Sequence, residues 1–132
     1  MNYLVGLPAF ASFFAMGVGF LAVFLLAYLY LTPHRELALI RAGNLAAATA
    51  VAGAVLGDTM PLARALMQSA NATDLAVWAM VALVAQIAAY VLVRLLLPSF
   101  PTRIEAGDRA AALLSASLHV AVGVLNGAAM AY

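Results

Sequence analysis

Asp58, Gln86, His119 and Asn126 are polar side chains set inside long apolar runs. An ionisable group at the centre of a membrane-length run costs on the order of 2.5–3.5 kcal/mol, so it should face protein or water rather than lipid. With a helical rise of 1.5 Å per residue, His119 and Gln86 fall at similar depths, ~14 and ~17 Å from the charged ends of their runs. Asp58 at ~20 Å and Asn126 at ~24 Å make a second layer on the same measure. Ser115, His119, Gly123 and Gly127 share one helical stripe, with Asn126 beside it. Two chemistries fit this pattern. One is a candidate intramembrane polar seam that passes a proton or ion, or senses pH through His119. The other is plain interhelical hydrogen bonding, worth under ~2 kcal/mol per pair in a membrane.

Other chemistries lack their residues. One carboxylate and one imidazole fall short of the three or four ligands of a metal site. The chain has no Cys, which removes disulfides and thiolate chemistry. No Ser/His/Asp arrangement, phosphate-cradling Gly loop or HExxH pattern occurs. The expectation is a protein without enzymatic activity, cofactor or metal.

The elements that must position these groups follow from composition. Of 132 residues, 67% are hydrophobic and 8% charged, against roughly 25% charged in soluble domains. So small and apolar a chain cannot hide its surface in a water-soluble core, and the lipid bilayer is the partner that fits. A formal net charge of +1 rules out the broad basic footprint of nucleic-acid binding. A spanning helix needs ~20 apolar residues, and the sequence has room for four. The first run, 8–31, is long enough to remain a span, and no Lys or Arg precedes it, so no cleaved signal peptide is expected.

The runs are organised by a stretch that occurs twice. Ala42-Gly43-Asn44-Leu45-Ala46-Ala47-Ala48 returns as Ala106-Gly107-Asp108-Arg109-Ala110-Ala111-Ala112. Asn44 and Asp108 stand where a helix N-cap should stand, before Ala-rich helix formers. Asp108 also sets a negative charge at the positive end of a helix dipole. The two N-termini are read either as caps alone or as a matched anion or partner site. The chain is thus expected to be a single all-α transmembrane domain, 1–132, made of two parallel two-helix repeats, 8–68 and 74–132.

Thr32-Pro33 should stop the first span, and 34–42 reads as a short interfacial helix. Between Gly57 and Pro61 a kink or break is expected, because proline removes a hydrogen bond and clashes with the preceding turn. The turn at 69–74 should lead to Asp74 as cap of a third span, 75–97, which ends at Pro98. The fourth span is expected over 110–131. Gly53 and Gly57, and Gly123 and Gly127, form two G-x-x-x-G patterns that let helix backbones approach, within one chain or across a subunit interface. Arg35, Arg41, Arg94, Arg103 and Arg109 flank the first and third connections, and only Arg64 lies at the other end. The positive-inside rule then makes those connections a cytoplasmic interface and both termini periplasmic.

Certain of these residues resemble a known family. Thr32-Pro33-His34, Leu39-Ile40, Gly43-Asn44-Leu45-Ala46-Ala47, Leu56-Gly57, Pro61-Leu62, Asp74, Trp78, Gln86, Arg94-Leu95, Pro98, Glu105-Ala106-Gly107-Asp108, Asn126 and Met130 are similar to the YjfL-like bacterial inner-membrane proteins (domain of unknown function family 350). The resemblance covers nearly the whole chain. It departs at Asp108, where members often have Asn, and at Asp58 and His119. It therefore implies shared behaviour at Asn44, Gln86, Arg94 and Asn126. It also implies a multi-pass inner-membrane location and a link to membrane stress. Two functions are expected from these readings. The first is a structural or adaptor component that self-associates as a homo-oligomer or anchors a cytoplasmic or membrane protein. The alternative is a small ion or proton channel or transporter using the polar seam.

Overall fold

The computed structural model describes residues 2–33 and 35–130. They form six helices: α1 (Tyr3–Leu31), α2 (Glu36–Arg41), α3 (Leu45–Gln68), α4 (Ala72–Leu96), α5 (Phe100–Glu105) and α6 (Arg109–Ala129). Four of them, α1, α3, α4 and α6, are long and apolar enough to cross a membrane. The fold is all-α and multi-pass, with α2 and α5 as short interfacial helices between the spans.

The two corners that carry the repeated stretch have one geometry. At the end of α2, Gly43 takes φ +88°; its N–H donates to the Ile40 carbonyl, and the Asn44 N–H donates to Leu39, both at 2.9 Å. At the end of α5, Gly107 takes φ +81°. Its N–H donates to Ile104 and the Asp108 N–H to Arg103, again at 2.9 Å. This is the Schellman pattern, which needs a left-handed residue and so favours glycine. Each corner hands directly to an N-cap. The Asn44 side chain accepts from the Ala47 N–H at 3.0 Å. Asp108 Oδ1 accepts from Ala110 and Ala111 at 3.0 and 3.2 Å.

α3 and α6 form the tightest pair. A Cβ at Gly53 would overlap the Ala116 backbone, one at Gly57 the His119 carbonyl, and one at Gly123 the Gly57 carbonyl. Gly127 lies beside Met60 and Pro61. Residue numbers rise together on both helices, so the two run parallel. α1 is peripheral, with only Gly17, Phe24 and Tyr28 buried; Phe13, Met16 and Phe20 pack partly buried against the bundle, while Phe10, Phe14, Val18, Val23 and Leu26 are exposed, as a lipid solvent allows.

The helix bounds differ from expectation in three places. α3 is continuous through Pro61, with no break after Gly57. Proline takes away the donor that the Gly57 carbonyl would use, but that carbonyl lies against the Cα of Gly123, where a weak Cα–H···O contact offsets part of the loss. α4 is capped by Asn71, which accepts from the Asp74 N–H at 2.8 Å. Asp74 sits in the first turn and accepts from the Ala70 N–H at 3.2 Å; a carboxylate there complements the helix dipole. α1 begins at Tyr3 rather than residue 8, because Asn2 caps it by accepting from Leu4 at 3.1 Å. The expected interfacial helix reduces to α2, and His34 lies outside the described residues, as does Ala131 at the end of the fourth run.

Candidate functional site: a buried polar cluster

Gln86 on α4 and His119 on α6 meet at the centre of the bundle, both fully buried. Gln86 Nε2 donates to the His119 carbonyl at 3.2 Å, while Gln86 Oε1 lies 2.6 Å from His119 Nδ1. An amide oxygen can only accept. The neutral imidazole therefore carries its proton on Nδ1, and Nε2 is left as an acceptor. One side chain grips both the ring and the backbone of α6. The Gly57 backbone closes against the same His119 carbonyl and the Gln86 oxygen, so α3, α4 and α6 converge at this point.

The cluster extends toward the α2/α5 end. The Tyr28 ring meets His119 edge-on at 5.7 Å and Tyr90 at 5.9 Å, and Tyr90 meets Phe100 at 6.5 Å. Arg94 Nη1 donates to the Tyr90 hydroxyl at 3.2 Å. The Tyr28 hydroxyl faces the Glu36 carboxylate of α2 and the Ser115 hydroxyl of α6. Glu36 and Ser115 are buried, although the neighbouring Arg35 and Leu37 are exposed. Tyr28 Oη, Ser115 Oγ and His119 Nε2 are buried without a hydrogen-bond partner.

Of the four residues singled out as a seam, the structure thus joins Gln86 and His119. Asp58 is buried and makes no side-chain hydrogen bond to the described residues. Asn126 is half-buried and its amide nitrogen is unpartnered. Sequence reasoning missed Tyr28, Tyr90 and Glu36. The tyrosines look like interface aromatics and Glu36 like a solvated loop charge; the signal available was their position, one to two turns from a span end on the α2/α5 side. Gly53, Gly57 and Gly123 are the close-approach points. Gly127 is looser, since a Cβ there would meet Met60 and Pro61 at 3.5 Å, an ordinary contact.

The α2/α5 end carries the remaining named residues. Arg41 and Arg109 are exposed, and Arg94 and Arg103 half-buried. Asn44 does more than cap α3. Its Nδ2 donates to the Ile104 carbonyl at 2.9 Å and to Glu105 at 3.3 Å, tying the start of α3 to the end of α5, where carbonyls lack helical partners or have acceptor capacity to spare. A carboxylate cannot donate, and Asp108 instead accepts from Arg103 Nε at 2.7 Å. That hydrogen bond, helped by the Ala111 and Ala110 N–H groups and the Arg103 charge, holds Asp108 below the usual carboxylate range. Among the described residues, no three His, Cys, Asp or Glu side chains converge as metal ligands would.

Residues 2–130 match the family described as Domain of Unknown Function, DUF350. The chain is 34% identical to the "UPF0719 inner membrane protein YjfL" of Escherichia coli over 132 residues, covering all of both chains. The same identity and coverage hold for that protein in a second Escherichia coli strain. No solved structure matches. Four membrane-length helices, a full-length inner-membrane relative and a family match along almost the whole chain agree, and the chain belongs to the DUF350 family of multi-pass bacterial inner-membrane proteins.

Proposed function

We propose that this protein is a structural and anchoring component of the inner membrane, self-associating within the bilayer and presenting its α2/α5 end to a partner in the cytoplasm. The supporting observation is the closure of the bundle at its centre. Gly57 and Gly123 bring the α3 and α6 backbones together beside the Gln86–His119 pair. The central polar groups are used to tie helices, which is what a scaffold needs, rather than to line an open path.

The same reading assigns the two halves, α1–α3 and α4–α6, as parallel repeats related by rotation about the membrane normal. It rests on the two like corners and on the parallel run of α3 and α6. Five arginines at or near the α2/α5 end orient that end inward and both termini outward. The exposed corners, with Arg41, Glu105 and Arg109 around them, are the docking surface in this reading.

The test is crosslinking in cells from single cysteines placed at Arg41 and Arg109, with the mass of the purified protein measured in mild detergent. A homo-oligomer together with an adduct to a cytoplasmic or membrane protein is the expected result. A monomer without adducts overturns the proposal. So does proton or ion flux in reconstituted liposomes above that of empty ones and lost in Asp58→Leu or Asn126→Leu, which would assign the seam to transport.

A further inference from the structure

A cleft of about 460 Å³ opens at the α2/α5 end. Pro33, Arg35, Ala38 and Leu39 line it from α2 and the connection before it, and Glu105 lines it from the last position of α5. Arg35 and Glu105 carry opposite charges, and both are exposed. Among the described residues, neither side chain makes an ion pair or a hydrogen bond. The ion pair at this end is Arg103–Asp108, at 2.7 Å, and it involves neither of them. The cleft therefore offers one free guanidinium and one free carboxylate, with an apolar wall of Pro33, Ala38 and Leu39.

The depth of the cleft narrows what can enter it. Pro33 follows the end of α1 by two residues, and Glu105 precedes the start of α6 by four. Both thus stand where spans end, at the level of lipid headgroups. Tyr30, Leu31 and Leu37 are exposed there, giving this end the aromatic and apolar surface of a membrane interface. A second cleft of about 370 Å³ shares Pro33, Arg35 and Ala38 and adds Leu29, Thr32, Glu36 and Leu37. Leu29 belongs to α1, so this second cleft leads from the headgroup level toward the hydrocarbon.

We propose that this cleft binds the headgroup of a phosphatidylethanolamine lipid, with Arg35 on the phosphate and Glu105 on the ammonium. A ligand that meets both free charges must itself carry both. Guanidinium donates to phosphate oxygens in a fork that suits them, and a primary ammonium has three N–H groups to donate to a carboxylate. A choline headgroup carries the same charges without an N–H to donate. A phosphoglycerol headgroup suits Arg35 and sets a like charge near Glu105. The inference does not depend on the anchoring reading, which needs a protein at the corners rather than a lipid beside them.

The test is native mass spectrometry of the full-length protein in mild detergent, with ethanolamine, glycerol and choline phospholipids of matched acyl chains. The wild type should retain the ethanolamine lipid over the glycerol lipid by about fivefold, the scale of one charge near a membrane surface, and over the choline lipid by a smaller factor. In Glu105→Gln the preference over the glycerol lipid should vanish. In Arg35→Gln retention of both should fall by about fivefold. Arg41→Gln and Arg109→Gln remove exposed charges outside the cleft and should match the wild type. Equal retention of the ethanolamine and glycerol lipids by the wild type overturns the proposal, whether or not any variant folds. So does a preference that survives Glu105→Gln, or a loss in Arg41→Gln as large as in Arg35→Gln. Binding of soluble phosphoethanolamine with no lipid retained also overturns it, by assigning the cleft to a soluble ligand. The anchoring reading, tested by adducts at positions 41 and 109, can fail without moving any of these ratios.

Discussion

Replacing Gly123 with alanine should do far more damage than the same change four residues later at Gly127. At Gly123 the new methyl group would overlap the carbonyl of Gly57 and lie 2.7 Å from its carbon. Both are backbone atoms of a continuous helix, so no rotamer can move them aside. α3 and α6 must separate, and separation strains the Gln86–His119 clip beside them. Overpacking typically costs ~1–3 kcal/mol; backbone neighbours on both sides place this case at the upper end, ~3 kcal/mol. Gly57→Ala and Gly53→Ala meet the His119 carbonyl and the Ala116 backbone and should cost about the same as Gly123→Ala. At Gly17 the obstacle is the Leu66 Cδ1 at 2.9 Å, the end of a flexible side chain, and the cost should be ~1 kcal/mol. Gly127→Ala should fall within ~0.5 kcal/mol of wild type, and Gly6→Ala and Gly19→Ala, with nothing within 4 Å, should be neutral or slightly stabilising. The assay is reversible unfolding of the purified protein in mixed micelles, followed by circular dichroism. Equal effects at Gly123 and Gly127, or a neutral Gly123→Ala, would refute the packing argument.

Gln86→Leu removes both arms of the clip and leaves the His119 Nδ1–H buried without an acceptor; it should cost ~1–2 kcal/mol in the same assay, and a loss below ~0.3 kcal/mol would show that the clip is dispensable. Asn44→Ala loses the α3 cap and the two bonds to α5, and should destabilise by ~1–2 kcal/mol. Asn44→Asp keeps the cap and removes only the donor, so its smaller loss isolates the link to α5. For Asp108 the folded-state value is depressed, mainly by the Arg103 hydrogen bond. Its contribution is therefore complete above the ordinary carboxylate value of 3.8 and is lost as pH falls below that toward the folded value. Asp108→Asn should keep the N-cap but flatten this part of the acid limb in melts, and an unchanged acid limb would count against the Arg103 pairing.

The sequence by itself determined the solvent, the four spans and the corners. Few charges and long apolar runs leave the bilayer as the environment, because backbone groups there must be satisfied within helices. The Gly-Asn and Gly-Asp corners were legible because a left-handed turn and an N-cap are local demands met by local residues. Only the tertiary structure decided which polar groups meet. Gln86 lies 33 residues from His119, and depth along two helices fixes their height but not their rotation, so Asp58 and Asn126 looked equivalent partners and are not joined to them. Glu36 and Tyr28 were obscured for the same reason, since whether a charge at a helix end is solvated depends on how α2 folds back beneath the bundle. Pro61 shows the point in reverse. A proline inside a helix predicts a kink or break from local geometry, yet no break occurs and α3 runs on to Gln68, with the carbonyl that Pro61 frees lying against Gly123 of another helix.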